Sequence, residues 1–89
     1  VVARLGGEEF AIVVRGADGR AGAALAERLR SAIESLAVVE DGAPIALTAS
    51  IGVTVLRSDD AEPDDALKRA DRAMYRAKHL GRNRVELDG

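Results

Sequence analysis

The chain has 89 residues, enough for one small domain near the lower limit of what buries a useful core unaided. Its apolar content of 47% is largely alanine, Phe10 and Tyr75 are the only aromatic residues, and a net charge of −2 provides neither a field nor a stacking platform for DNA or RNA. No cysteine and a single histidine, His79, exclude a disulfide scaffold, a cysteine zinc site and a histidine metal cluster within one chain, and no stretch is apolar enough to span a bilayer or act as a signal peptide.

Val1-Val2-Ala3-Arg4-Leu5 and Phe10-Ala11-Ile12-Val13-Val14 are β-prone runs around Gly6-Gly7-Glu8-Glu9, the pattern of a β-hairpin with a glycine-tightened tip. The chain opens inside an apolar run, with no initiator Met, which predicts a piece of a longer polypeptide. Asp18-Gly19 marks a turn. From Ala21 to Ala37, Leu25, Leu29, Ile33 and Leu36 recur at helical spacing, with Glu27, Arg28, Arg30, Ser31 and Glu34 on the other face. Asp41-Gly42-Ala43-Pro44 breaks the pattern. Ile45 to Val55 then alternates: Leu47, Ala49, Ile51, Val53 and Val55 point one way, Thr48, Ser50 and Thr54 the other, as in a half-buried strand.

After an acidic loop from Ser58 to Asp65, Pro63 with Asp64 and Asp65 suits a helix start. The second helix carries Leu67, Ala70, Met74 and Ala77 on one face and ends in Arg76, Lys78 and His79 before Gly81. Val85-Glu86-Leu87 forms a short last strand. The order β-β-α-β-α-β predicts an α+β fold with a largely antiparallel sheet and helices to one side.

Two places carry chemistry. At the hairpin tip, the adjacent carboxylates Glu8 and Glu9 repel each other mildly, and a hard divalent cation would offset that. Mg²⁺ takes carboxylate oxygens together with substrate phosphates, and glycines admit a nucleotide close to the backbone. Taken alone, these four residues read better as a solvated hairpin turn, since four-residue matches are frequent by chance. The second place is Ala77-Lys78-His79-Leu80-Gly81-Arg82-Asn83-Arg84. Arg76, His79 and Arg84 read as compensation of the helix dipole, whereas Lys78 and Arg82 flank a glycine turn that can aim both at one anion.

Arg4-Leu5-Gly6-Gly7-Glu8-Glu9-Phe10 resembles the hairpin of the GGDEF diguanylate cyclase family, in its GGEEF spelling. Leu47-Thr48-Ala49-Ser50-Ile51-Gly52-Val53 resembles that family's T-x-S-x-G-V strand. Ala70-Asp71-Arg72-Ala73-Met74-Tyr75-Arg76-Ala77-Lys78 with Gly81-Arg82-Asn83 resembles its last helix and turn. The three blocks come in family order over essentially the whole chain.

The resemblance implies a palm or ferredoxin-like cyclase fold, of which residues 1–89 are the C-terminal half, and the condensation of two GTP molecules into cyclic di-GMP with release of pyrophosphate. It implies Mg²⁺, or Mn²⁺, as the metal. Catalysis needs a homodimer that sets two GTP molecules face to face, and GTP use places the chain in the cytoplasm. By position, Glu8 matches the metal-binding carboxylate and Glu9 the second acid of the catalytic pair. Gly6 and Gly7 match the glycines beneath the nucleotide, and Lys78 with Arg82 the cations on its phosphates. Arg28 aligns with an arginine of the allosteric product site, although its chemistry alone predicts a surface salt-bridge partner. Asp71, Tyr75, Thr48 and Ser50 are read as structural.

The resemblance further implies an absent N-terminal half holding a second metal-ligating Asp and the guanine-reading residues. Its central strand would run between Phe10–Val14 and Ile45–Val55. Without it this chain is expected to lack turnover, and its two unpaired edges predict a marginal monomer or an intertwined dimer. A regulatory module that binds GTP or cyclic di-GMP without catalysis is the alternative reading. A purely structural dimerisation module ranks below both, because it leaves three co-occurring motifs unexplained.

Overall fold

The computed structural model describes residues 2–6, 8–15 and 18–88, with side chains from Glu8 onward except that of residue 63. Strands β1 (Val2–Gly6) and β2 (Glu9–Val14) pair antiparallel from Val2↔Ile12 to Gly6↔Glu9, with a register irregularity between Arg4 and Gly6. This is the hairpin expected from the two apolar runs. Gly7 lies outside the described residues.

Helix α1 (Gly19–Glu34) begins where Asp18 Oδ1 accepts from the amides of Arg20 and Ala21 at 3.1 and 3.2 Å, satisfying donors that a helix start leaves orphaned. The expected leucine stripe is not its buried face. Gly22 and Ala26 are buried and Ile33 half-buried, while Leu25, Leu29 and Leu36 are 57%, 37% and 55% exposed. Small residues let the helix backbone come close to the sheet: a Cβ on Gly22 would lie 2.9 Å from Val14 Cγ1. The contact centres on that small face and leaves the leucines beside it.

Strands β3 (Val38–Glu40) and β4 (Ala43–Ile45) form a separate antiparallel hairpin. Its two-residue turn has positive φ at both Asp41 (52°) and Gly42 (77°), a combination that matches the twist of the flanking strands. The single strand expected over Ile45–Val55 is therefore divided. Ile45 pairs with Val38, and β5 covers Ser50–Val55. Helix α2 (Pro63–His79) and strand β6 (Arg84–Asp88) follow as anticipated, with the Glu62 amide donating to Asp65 Oδ2 (3.0 Å) at the helix start.

The main sheet has the order β1-β2-β5-β6. β2 pairs with β5 parallel, from Glu9↔Ser50 to Val14↔Val55, and β5 pairs with β6 parallel, from Ser50↔Arg84 to Thr54↔Asp88. The expectation of a largely antiparallel sheet is thus corrected. α1 and α2 each carry the chain back to the end where the preceding strand began, so the next strand runs the same way. The expectation of two unpaired edges is corrected too, since the strands meant to flank an absent neighbour bond directly to each other.

The helices lie on opposite faces, not on one. Ile12, Ile51 and Val53 pack with Ala26 of α1, while Ala11 and Val13 pack with Ala66 and Ala70 of α2. Both faces of β5 are therefore covered, including the one that reads as polar: Ser50 and Thr54 are buried. Thr54 Oγ1 donates to the Asp88 carbonyl (2.7 Å) and accepts from Arg69 Nε (3.2 Å), so its burial leaves no polar atom unpaired.

Candidate functional site

Parallel pairing puts the starts of β2, β5 and β6 at one end of the sheet, where α2 also ends. Three contacts fix this end. The Ser50 amide donates to the Glu8 carbonyl (2.8 Å), the Arg84 amide donates to the Ala49 carbonyl (3.1 Å), and the Arg82 amide donates to the Ala77 carbonyl (2.9 Å). Residues far apart in sequence, from the hairpin and from the close of α2, are thereby gathered around one edge.

Glu9, the first residue of β2, forms an ion pair with the Lys78 ammonium; both side chains are half-buried. Glu8, in the turn before it, is exposed and has no side-chain partner among the described residues. Arg82 is also exposed, and its guanidinium has no hydrogen-bond or ion-pair partner among the described residues. Of these four candidate residues, Glu9 and Lys78 are paired with each other, while Glu8 and Arg82 have no side-chain partner among the described residues. Gly6 closes β1 opposite Glu9.

Glu8 and Glu9 are two carboxylates, and no group of three or more metal-binding side chains occurs among the described residues. With Glu9 engaged by Lys78, Glu8 is the acid left to bind a cation. A single free carboxylate does not make a protein cage, but it suits Mg²⁺ held jointly with substrate phosphates.

The turn that carries Arg82 has positive φ at Gly81 (126°), Arg82 (60°) and Asn83 (46°). Asn83 reaches across to α1: its Oδ1 accepts from Arg30 Nη1 (2.7 Å) and its Nδ2 donates to Glu34 Oε2. Arg30 is also gripped by Glu27, through Nε to Oε2 at 2.9 Å. Those bonds hold the guanidinium above its ordinary range and lower the Glu27 carboxyl, chiefly through the Arg30–Glu27 hydrogen bonds. Asn83 stood in the sequence as the last residue of the Gly81-Arg82-Asn83 motif with no role attached, and Arg30 as one polar residue of the first helix. That the two meet is a matter of how α1 lies beside the turn.

Arg28 stands apart on α1, in a shallow surface with Glu27, Ser31, Ala32 and Ser35. The surface ion pair expected of it belongs instead to Arg30, since Arg28 has no partner among the described residues. Tyr75 packs against His79 with ring centroids 4.0 Å apart, and the imidazole Nδ1 lies 3.0 Å from the Tyr75 carbonyl, so Tyr75 is paired away from Asp71. Arg84 behaves as the helix-end reading implies, donating from Nη1 to the Leu80 carbonyl at 2.8 Å. A concavity of about 510 Å³, lined by Val13, Leu56 and Leu67 with Arg15, Arg57 and Asp60, lies at the opposite end of the sheet and shares no residue with this cluster.

The family described as "Diguanylate cyclase, GGDEF domain" matches residues 1–84. The chain is 41% identical to Diguanylate cyclase A of Treponema denticola over 96% of its length and 23% of that protein's. It is 41% identical to Diguanylate cyclase DgcP of Pseudomonas aeruginosa over 97% of its length and 13% of the relative's. The Probable diguanylate cyclase DgcT of Escherichia coli is 39% identical over 96% of the chain and 19% of its own length. The chain thus spans less than a quarter of these relatives.

Proposed function

The chain belongs to the GGDEF diguanylate cyclase family, and from that premise we propose that it forms the C-terminal half of a catalytic domain that condenses two GTP molecules into cyclic di-GMP. The observation that carries this reading is the convergence of Glu8, Glu9, Lys78 and Arg82 at one end of the sheet, with Glu9 paired to Lys78. A triphosphate needs a carboxylate to share its metal and cations to meet its oxygens, and this end offers both.

In the proposed reaction the 3′-hydroxyl oxygen of each GTP attacks the α-phosphorus of the facing one. At each α-phosphorus the bond to the bridging oxygen of the β-phosphate breaks, so two phosphodiester bonds form and two pyrophosphates leave. Glu8 would hold Mg²⁺ and accept the hydroxyl proton. Mg²⁺, when bound, supplies positive charge against the phosphate oxygens. Arg82, which has no side-chain partner among the described residues, and Lys78, held in place by Glu9, would donate to the phosphate oxygens, the electrostatic part of phosphoryl transfer. Two such domains facing each other would carry one GTP each, so a homodimer is the proposed active species and the cytoplasm its location.

The test is GTP turnover with Mg²⁺, comparing this chain with a polypeptide that extends it N-terminally. Cyclic di-GMP from the extended polypeptide, lowered by Glu8→Gln on the order of a hundredfold or more, is the expected result. Binding of GTP or cyclic di-GMP without turnover would replace it with a regulatory role.

A further inference from the structure

Arg82 has no side-chain partner of its own among the described residues, so the backbone that carries it sets only the direction in which its side chain leaves the turn. That backbone is an improbable one. Gly81, Arg82 and Asn83 take positive φ in succession, a conformation that glycine and asparagine tolerate and arginine disfavours. The Arg82 amide to the Ala77 carbonyl ties the turn to α2, and the Arg84 amide to the Ala49 carbonyl ties it to the edge of β5. Neither bond fixes the residue between them. Two side chains act on the turn: Arg84 Nη1 closes it onto the Leu80 carbonyl at 2.8 Å, and Asn83 fastens it to α1.

The amide of Asn83 is used at both ends. Its oxygen faces the Arg30 cation and its nitrogen faces the Glu34 carboxylate, so one orientation satisfies both partners and its flip satisfies neither. Arg30 is restrained by Glu27 and Glu34, and its side chain is 15% exposed. The clamp is therefore an anchored one, built on a helix from the opposite face of the sheet.

We propose that Asn83, held by Arg30 and Glu34, is a positioning residue that fixes the Gly81–Asn83 turn so that Arg82 is preset to meet the triphosphate of the substrate. This rests on the cyclase reading above. Presetting removes the cost of ordering the turn when the anion arrives, and it acts through Arg82 alone. Asparagine suits the post for two reasons: it accepts a left-handed φ, and it presents a donor and an acceptor together. Aspartate would set a carboxylate against Glu34.

The experiment measures the affinity of the N-terminally extended polypeptide for inorganic tripolyphosphate with Mg²⁺, by calorimetry, beside its KM for GTP. Asn83→Gly keeps the turn geometry open but removes the amide, and is expected to weaken tripolyphosphate binding about tenfold and to raise KM more than it changes kcat. In an Arg82→Ala background the same substitution is expected to cost nothing further. Glu34→Gln, which retains an acceptor oxygen, should preserve affinity, while Glu34→Lys, at an exposed helix end, should lose it without unfolding. An Asn83→Gly loss of equal size with and without Arg82 would overturn the proposal, as would unchanged affinity in Asn83→Gly or Glu34→Lys. Were tripolyphosphate bound and GTP turned over with no effect of these variants, the clamp would fall and the cyclase reading stand. Failure of the unsubstituted polypeptide to bind either ligand would remove both.

Discussion

Arg69 lies on the apolar stripe of α2, between Ala66 and Ala70, where a charge is out of place unless it is paired. It is paired throughout: Nε donates to Thr54 Oγ1 (3.2 Å), and Nη2 donates to the Val55 carbonyl and to Asp60 Oδ2, each at 2.9 Å. Asp60 also accepts from the Arg57 amide at 2.8 Å. Hydrogen bonds from Arg69 first, and then from that amide, hold the Asp60 carboxyl down to about 2 from an ordinary 3.8. A carboxyl lowered in the folded state binds fewer protons there than in the unfolded chain, so its stabilisation is complete above about 4 and fades as pH falls toward about 2. The thermal midpoint should therefore drop across that interval, and Asp60→Asn should flatten the drop while lowering the midpoint at neutral pH. A charge on the apolar stripe was the available sign of this network. The sign of the Glu9–Lys78 pair was weaker, because each residue alone reads as surface charge, and the partner is set by how α2 lies on the sheet.

Gly52 shows at the level of an element what the sequence motif encodes. A Cβ there would stand 2.0 Å from the Ala70 carbonyl oxygen and 2.2 Å from the Met74 amide nitrogen. The obstructing atoms are helix backbone, which cannot turn aside as a side chain would. Gly52→Ala is expected to lift α2 and destabilise the chain by about 3 kcal/mol or more, read from the denaturant midpoint. Because α2 carries Lys78 and leads into the turn of Arg82, the same substitution should disturb the candidate site from a distance. Hairpin β1–β2, α2 and β6 were legible from period and punctuation. Hairpin β3–β4 was not, although Asp41-Gly42 is a hairpin dipeptide, because its strands are three residues each and offer no alternation to count. The burial of α1 was misjudged for a related reason: leucines outweigh glycine and alanine in any apolar count, while close packing favours the smaller pair.

Across the whole molecule, protection against exchange should divide along the two sheets. β2 and β5 form a continuous parallel ladder, and β5 is covered by a helix on each face. β3 and β4 pair only with each other, and most of their residues are exposed. Hydrogen exchange should thus find the amides of β5 among the slowest and those of Val38–Ile45 among the fastest, since a lone two-stranded hairpin is marginal in water. Equal protection in the two would contradict this layering.

What the sequence determined by itself is local: where the chain turns, which segments repeat with helical or strand period, and which acids and bases stand next to one another. These follow from backbone chemistry and side-chain spacing, and with the three motifs they identified the family and the candidate residues. Strand direction, helix side and ion-pair partners were decided only by the tertiary structure. Each depends on which surfaces meet, and in this chain that was settled by small residues: Gly22 and Ala26 seat α1, and Gly52 admits the backbone of α2, which brings Lys78 to Glu9.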